Sequence, residues 1–231
     1  MKAALSLALL GLVALAPTAD AAPAPRAPAA DWARTVVVTP EGGFRMGNPN
    51  AKVKLVEYGS LTCGHCAAFA QAGMAPLVAT YVKTGKVSYE YRNFILNGLD
   101  VAATLVARCG GPGRFFPVAD KLYATRDQWM GRASALSQAQ KDQLSAAPES
   151  QRLVRYADAV GLTGLAAQQG IAPAQARRCL ADQAALDRLG KMAEAAGAQG
   201  VDGTPTFFLN GANIGVHTWA TLEPILRESA G

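Results

Sequence analysis

The sequence predicts an α/β fold in which a helical domain is inserted between a βαβ half and a ββα half of one sheet. Three patterns predict it. A strand–helix–strand series fills residues 35–97, residues 98–197 carry helical periodicity with little strand pattern, and strand chemistry returns in 198–231 before a closing helix. The chain has 231 residues, 50% of them hydrophobic, which is ample for a buried core, and its 17% charged residues exclude a disordered composition.

The elements follow in order. Lys2, the uncharged Ala3–Ala16 run and the small residues Ala19-Asp20-Ala21 form the pattern of a signal peptide over 1–21, cleaved after Ala21. Residues 22–34 open with a Pro/Ala repeat and are expected to be a flexible linker. No later apolar run is long enough to span a bilayer, so a soluble exported protein without stable membrane insertion is expected.

Thr35–Thr39 is a β-branched run, and Gly42–Gly47 offers the return strand of a hairpin. Val53–Gly59 reads as a strand, and Thr62 is a suitable N-cap for a helix running from Cys63 towards Lys83, kinked or broken at Pro76. Lys86–Phe94 alternates Val87, Tyr89 and Tyr91 as a strand does. In the insertion, helices are expected from Leu99 to Cys109, from Arg114 to Met130, from Gln151 to Val160 and from Pro173 onward, with Cys179, Leu186 and Leu189 sharing one face. Thr206–Leu209, Asn210-Gly211 and Ile214–Val216 read as a hairpin. The final helix is expected over about Trp219–Ser229, capped by Thr218 or Thr221, and Pro224, tolerated in the first turn, favours the later start.

Net charge is +5 and is spread along the chain without aromatic interleaving, which argues against nucleic-acid binding. The four cysteines are Cys63, Cys66, Cys109 and Cys179. The first two lie three positions apart, so they pair with each other rather than with a distant partner. Cys109 and Cys179 have two readings: small apolar residues of the insertion, or a structural disulfide across it.

Cys63-Gly64-His65-Cys66 lies where a strand passes into a helix. The first turn of a helix offers free N–H groups and positive dipole potential, which stabilise a thiolate at Cys63. A protonated His65 adds positive charge. A stabilised thiolate is a good leaving group, so the Cys63–Cys66 disulfide is expected to be redox-active and oxidising. Cys63, at the helix tip, is the sulfur for a substrate to attack, and Cys66 is the resolving cysteine. A zinc site would need two further ligands at suitable spacing, which the other cysteines do not provide, so no metal and no cofactor are expected.

On these residues the chain resembles the thioredoxin superfamily, and within it the bacterial DsbA-like proteins. The resemblance rests on Val56-Glu57-Tyr58-Gly59 before the Cys motif, on Gly203-Thr204-Pro205-Thr206-Phe207 and on the long helical block. It implies a thioredoxin fold with a helical insertion and a cis Thr204-Pro205 bond beside the Cys pair, where Thr204 and Pro205 meet an extended substrate. It also implies a partly buried Glu57 that relays a proton to or from Cys66. The Gly-His dipeptide departs from the Pro-His of strong oxidants and matches eukaryotic isomerases, whose potential is about −180 mV against about −120 mV for DsbA.

The implied function is a periplasmic thiol:disulfide oxidoreductase that introduces disulfides into unfolded or reduced exported proteins, reoxidised by a membrane quinone-linked partner resembling DsbB. Residues 22–50 are too few for a separate dimerisation domain, which favours a monomeric oxidase over a dimeric isomerase or reductase. A rival of another class is a copper-binding or chaperone-like protein using Cys63, His65 and Cys66 as soft ligands.

Overall fold

The computed structural model describes residues 31–231, and its strands form one mixed sheet. They are β1 (Val36–Val38), β2 (Phe44–Met46), β3 (Val53–Gly59), β4 (Val87–Asn93), β5 (Thr206–Leu209) and β6 (Ala212–Gly215). Across the sheet the order is β1-β2-β4-β3-β5-β6, and β3 and β4 are the parallel pair. A parallel pair needs a crossover, and α1 (Gly64–Pro76) supplies it. The expected signal peptide and most of the expected linker lie outside the described residues. Trp32–Arg34, placed in that linker by the sequence, instead forms one 3₁₀ turn capped by the Asp31 carboxylate.

Of the two outcomes expected at Pro76, the α-helix breaks there rather than kinking. A proline ring blocks the carbonyl four residues back, so the regular ladder stops there. The chain goes on in wider π-helical turns over Leu77–Val82, with the Lys83 N–H bonded to the Val78 carbonyl at 2.8 Å.

Side chains alternate across β3. Val53, Leu55 and Glu57 face α1, and Tyr58 faces the other layer with Phe208, Ala196 and Val201. On β4 both faces are covered, with Ser88 and Glu90 buried as well as Val87, Tyr89 and Tyr91. Glu90 is satisfied there by the Thr39 hydroxyl and the Arg92 Nε, both at 2.7 Å.

The helical block holds α2 (Gly98–Arg108), α3 (Pro112–Ala124), α4 (Arg126–Ser134), α5 (Gln138–Ser145), α6 (Glu149–Ala159), α7 (Leu162–Gln168), α8 (Pro173–Leu180) and α9 (Gln183–Ala198). Two expectations are corrected. The helix foreseen from Arg114 to Met130 is two helices meeting at Thr125, whose hydroxyl bonds back to the Lys121 carbonyl at 2.8 Å. The helix foreseen from Pro173 is also two, because the Asp182 carboxylate caps a new N-terminus through the Ala185 N–H at 3.1 Å. Cys179 therefore lies on α8, apart from the Leu186 and Leu189 face of α9.

The closing helix α10 (Trp219–Ala230) takes the earlier of the two expected starts, capped at Thr218, rather than the later one that Pro224 favours, and Pro224 lies in its second turn. The Thr218 N–H donates to the Thr221 hydroxyl at 3.1 Å and Trp219 packs on Phe69, which holds the start in place despite the proline.

A disulfide joins Cys109, at the end of α2, to Cys179, closing a separation of 70 residues. The Cys109→Ala/Cys179→Ala double variant is expected to lose about 2–4 kcal/mol of stability in denaturant unfolding, through the freed unfolded chain, with Cys63 ionising as before.

Candidate functional site

Strand β3 ends at Gly59, where the Tyr91 ring crosses so closely that an added Cβ would lie 2.6 Å from it. Ser60-Leu61-Thr62 then turns the chain into α1. Thr62 was the expected cap. Its hydroxyl is instead 3.0 Å from that of Ser60 and accepts from Asn97 Nδ2 at 3.1 Å. The cap is Cys63 itself: extended at φ −76° and ψ 127°, it turns its sulfur back to accept the Cys66 N–H at 3.4 Å.

The sulfurs differ in surroundings. Cys63 is half-buried, and Cys66, one turn in, is 0% exposed. Both are thiols in this structure, in the reduced form of the pair. Hydrogen bonding from the Cys66 thiol, the largest influence, brings Cys63 down to about 5 against the opposing cost of burial. The Thr204 side chain and the backbone N–H groups of Cys66 and His65 act in the same direction. The Thr204 hydroxyl is buried and has no hydrogen-bond partner among the described residues. Burial drives Cys66 the other way, far above the ordinary thiol range, with its proton engaged by Cys63 and with Glu57 nearby. His65 is exposed.

Glu57 lies on the α1 face of β3 and is 2% exposed. Desolvation lifts it to about 8, opposed by the Tyr89 hydroxyl donating to Oε2 at 2.6 Å. Strand pairing places Tyr89 opposite Leu55, on the same face as Glu57.

The Thr204-Pro205 bond is cis. Thr206 pairs with Tyr58, so the loop before β5 sits beside the exit of β3, and the Cys63 thiol donates to the Thr204 carbonyl at 3.3 Å. Cys63, Cys66, Glu57, Thr204 and Pro205 thus come together from three parts of the chain. Cys109 and Cys179 are bonded to each other in the insertion. Among the described residues no cluster of His, Cys, Asp or Glu is arranged to hold a metal ion, the Cys63, His65 and Cys66 trio included.

Sequence reasoning missed four residues at this site. Tyr89 left a signal, since the alternation of β4 puts it in register with β3. Asp100, Tyr123 and Arg126 left none, because they reach the loop before Cys63 from the insertion. An open groove of about 1390 Å³ starts at Gly64 and Arg126 and runs between α1 and helices α3 and α4, past Met74, Val78 and Phe116. Among the described residues no helix is long and apolar enough to cross a membrane.

A family model described as Thioredoxin matches residues 39–228. The crystal structure of a protein-disulfide isomerase from Novosphingobium aromaticivorans is similar, with a TM-score of 0.75 and 30% identity over 81% of this chain and 96% of that one. Wolbachia pipientis α-DsbA1 has the same fold, with a TM-score of 0.67 and 20% identity over 84% of this chain and 94% of that one. A protein of Rickettsia bellii named as a candidate protein-disulfide oxidoreductase is 28% identical over 173 residues, 74% of this chain and 58% of that protein. The chain spans somewhat over half the length of the curated relatives it matches.

In the reduced protein, thiolate absorbance is expected to titrate with a midpoint near pH 5. The folded value lies below the ordinary 9.0, so ionisation stabilises the folded reduced form in full at pH 9, and that contribution is lost as pH falls through 5. The stability difference between reduced and oxidised protein should therefore shrink from pH 9 to pH 5 and level off below. Denaturant unfolding of both forms across that range checks it.

Proposed function

The chain belongs to the thioredoxin family and has the fold of the DsbA proteins, and from that premise we propose that it introduces disulfides into exported proteins in the periplasm by exchange through Cys63–Cys66. The observation that carries this reading is the opposed pull on the two sulfurs: one low, at about 5, and half-exposed, the other high and sealed. A dithiol that holds one sulfur as a stable anion lies low in free energy, so its disulfide takes electrons readily.

A substrate thiolate attacks Cys63 Sγ, the Cys63–Cys66 bond breaks and its electron pair leaves on Cys66. Glu57, still protonated at neutral pH because burial lifts it to about 8, hands its proton to that sulfur. A second substrate thiolate then attacks the substrate sulfur of the mixed disulfide, and Cys63 departs as a thiolate. Two substrate thiols have become a disulfide and the enzyme disulfide has become a thiolate and a thiol. The Thr204 carbonyl and cis Pro205 line the approach for an extended substrate, and the exposed His65 stands at its edge. A quinone-linked membrane partner resembling DsbB restores the disulfide, and the enzyme works as a monomer with no bound cofactor.

The 30% identical Novosphingobium protein is named an isomerase, which favours a second reading: rearrangement of wrong disulfides by the same cysteines. Oxidation of a reduced, unfolded substrate by the disulfide form, run beside refolding of a scrambled one, separates them. Net oxidation is the expected result. Rescue of scrambled substrate without oxidation of reduced substrate would overturn the oxidase reading.

Glu57→Gln is expected to slow exchange at neutral pH by about tenfold or more and to remove an inflection near pH 8 from the rate profile. Stopped-flow tryptophan fluorescence across pH reads both.

A further inference from the structure

Past Gly59, which pairs with Asn93, β3 has no neighbouring strand, yet Ser60 and Thr62 remain buried. Buried backbone groups must find partners. Here those partners are three side chains of the helical insertion, one for each residue of the loop. The Tyr123 hydroxyl donates to the Ser60 carbonyl at 3.1 Å. The Asp100 carboxylate accepts the Leu61 N–H at 3.0 Å and, on its other oxygen, the Leu96 N–H at 3.0 Å. The Arg126 guanidinium donates to the Thr62 carbonyl through Nε at 2.8 Å and Nη2 at 2.6 Å.

The last of these acts on the peptide plane that carries Cys63. Its carbonyl, on Thr62, lies in the arginine fork. Its N–H, on Cys63, donates to the Ser60 carbonyl at 3.2 Å, the group that Tyr123 also holds. With both ends of that plane held, the φ of Cys63 has little freedom, and its sulfur stays where the Cys66 N–H meets it.

We propose that Arg126, supported by Tyr123 and Asp100, is the positioning residue of the reactive sulfur, so that the helical insertion sets how stable the Cys63 thiolate is. The inference deepens the reading of Cys63–Cys66 as the exchanging pair and rests on it. Arg126 touches no reacting atom; it acts through the Thr62 carbonyl. A planar fork suits this task and a flexible ammonium does not.

The test uses the full reduced chain and the variants Arg126→Met, Arg126→Lys and Tyr123→Phe. The readouts are the pH midpoint of thiolate absorbance, the redox equilibrium with glutathione and the thermal midpoint. In Arg126→Met the Cys63 midpoint is expected to rise by about one pH unit and the oxidising equilibrium constant to fall about tenfold. Arg126→Lys should recover only part of either. Tyr123→Phe, which keeps the ring packing, should move both in the same direction by less, and it carries the test if Arg126→Met does not fold. A folded Arg126→Met or Tyr123→Phe with unchanged midpoint and equilibrium, whatever its thermal midpoint, would overturn the proposal. So would full recovery by lysine, which would make the effect one of charge alone. An ordinary thiol midpoint in the unaltered protein would instead remove the exchange reading itself, so the two failures are distinct.

Discussion

The sulfur of Cys63 is held by Cys66 twice, most strongly by its thiol and again by its backbone N–H, and most of what this site does follows from that contact. A helix start leaves donors without partners, and oxygen side chains normally take them up. Here a thiol stands in that place. Sulfur accepts weakly when neutral and strongly as an anion, so the cap is best satisfied when Cys63 is ionised. The capping bond thus adds to the stronger pull of the Cys66 thiol, and both bias the same sulfur towards the anion.

The second sulfur has the opposite environment within the same turn of helix. Cys66 lies over the sheet, with Glu57 beneath and no solvent. Charge on either group is costly there, which is why both are pushed up and neither ionises easily beside the other. Tyr89 eases the cost for the carboxylate without removing it, since a neutral hydroxyl offers a hydrogen bond and no counter-charge. The result is a protonated carboxyl and a protonated thiol held close together in a dry space.

Much of this was legible in the sequence. The alternation Val87, Tyr89, Tyr91 announced β4, and the pattern from Thr206 to Val216 announced the last hairpin, because strand periodicity is written in consecutive residues. The helical block was legible as a class and not in its joints. The breaks at Thr125 and Asp182 depend on single capping side chains, while α5 and α7 are too short for periodicity to stand out. Both possible caps of α10, Thr218 and Thr221, were legible, but the choice of the earlier one is supported by Trp219 meeting Phe69 across the fold, a contact that no local pattern records.

By itself the sequence determined that two thiols lie three residues apart at a strand-to-helix junction, with a carboxylate six residues upstream on the strand. Those are consequences of local geometry: the pitch of a helix and the alternation of a strand fix them before any long loop closes. Tertiary structure alone decided which atom caps the helix, that Tyr89 meets Glu57, that Cys109 reaches Cys179 and that Arg126 holds the Thr62 carbonyl from 64 positions away. These contacts exist only once the insertion has packed against the sheet, and the chain that connects their ends carries no trace of the meeting.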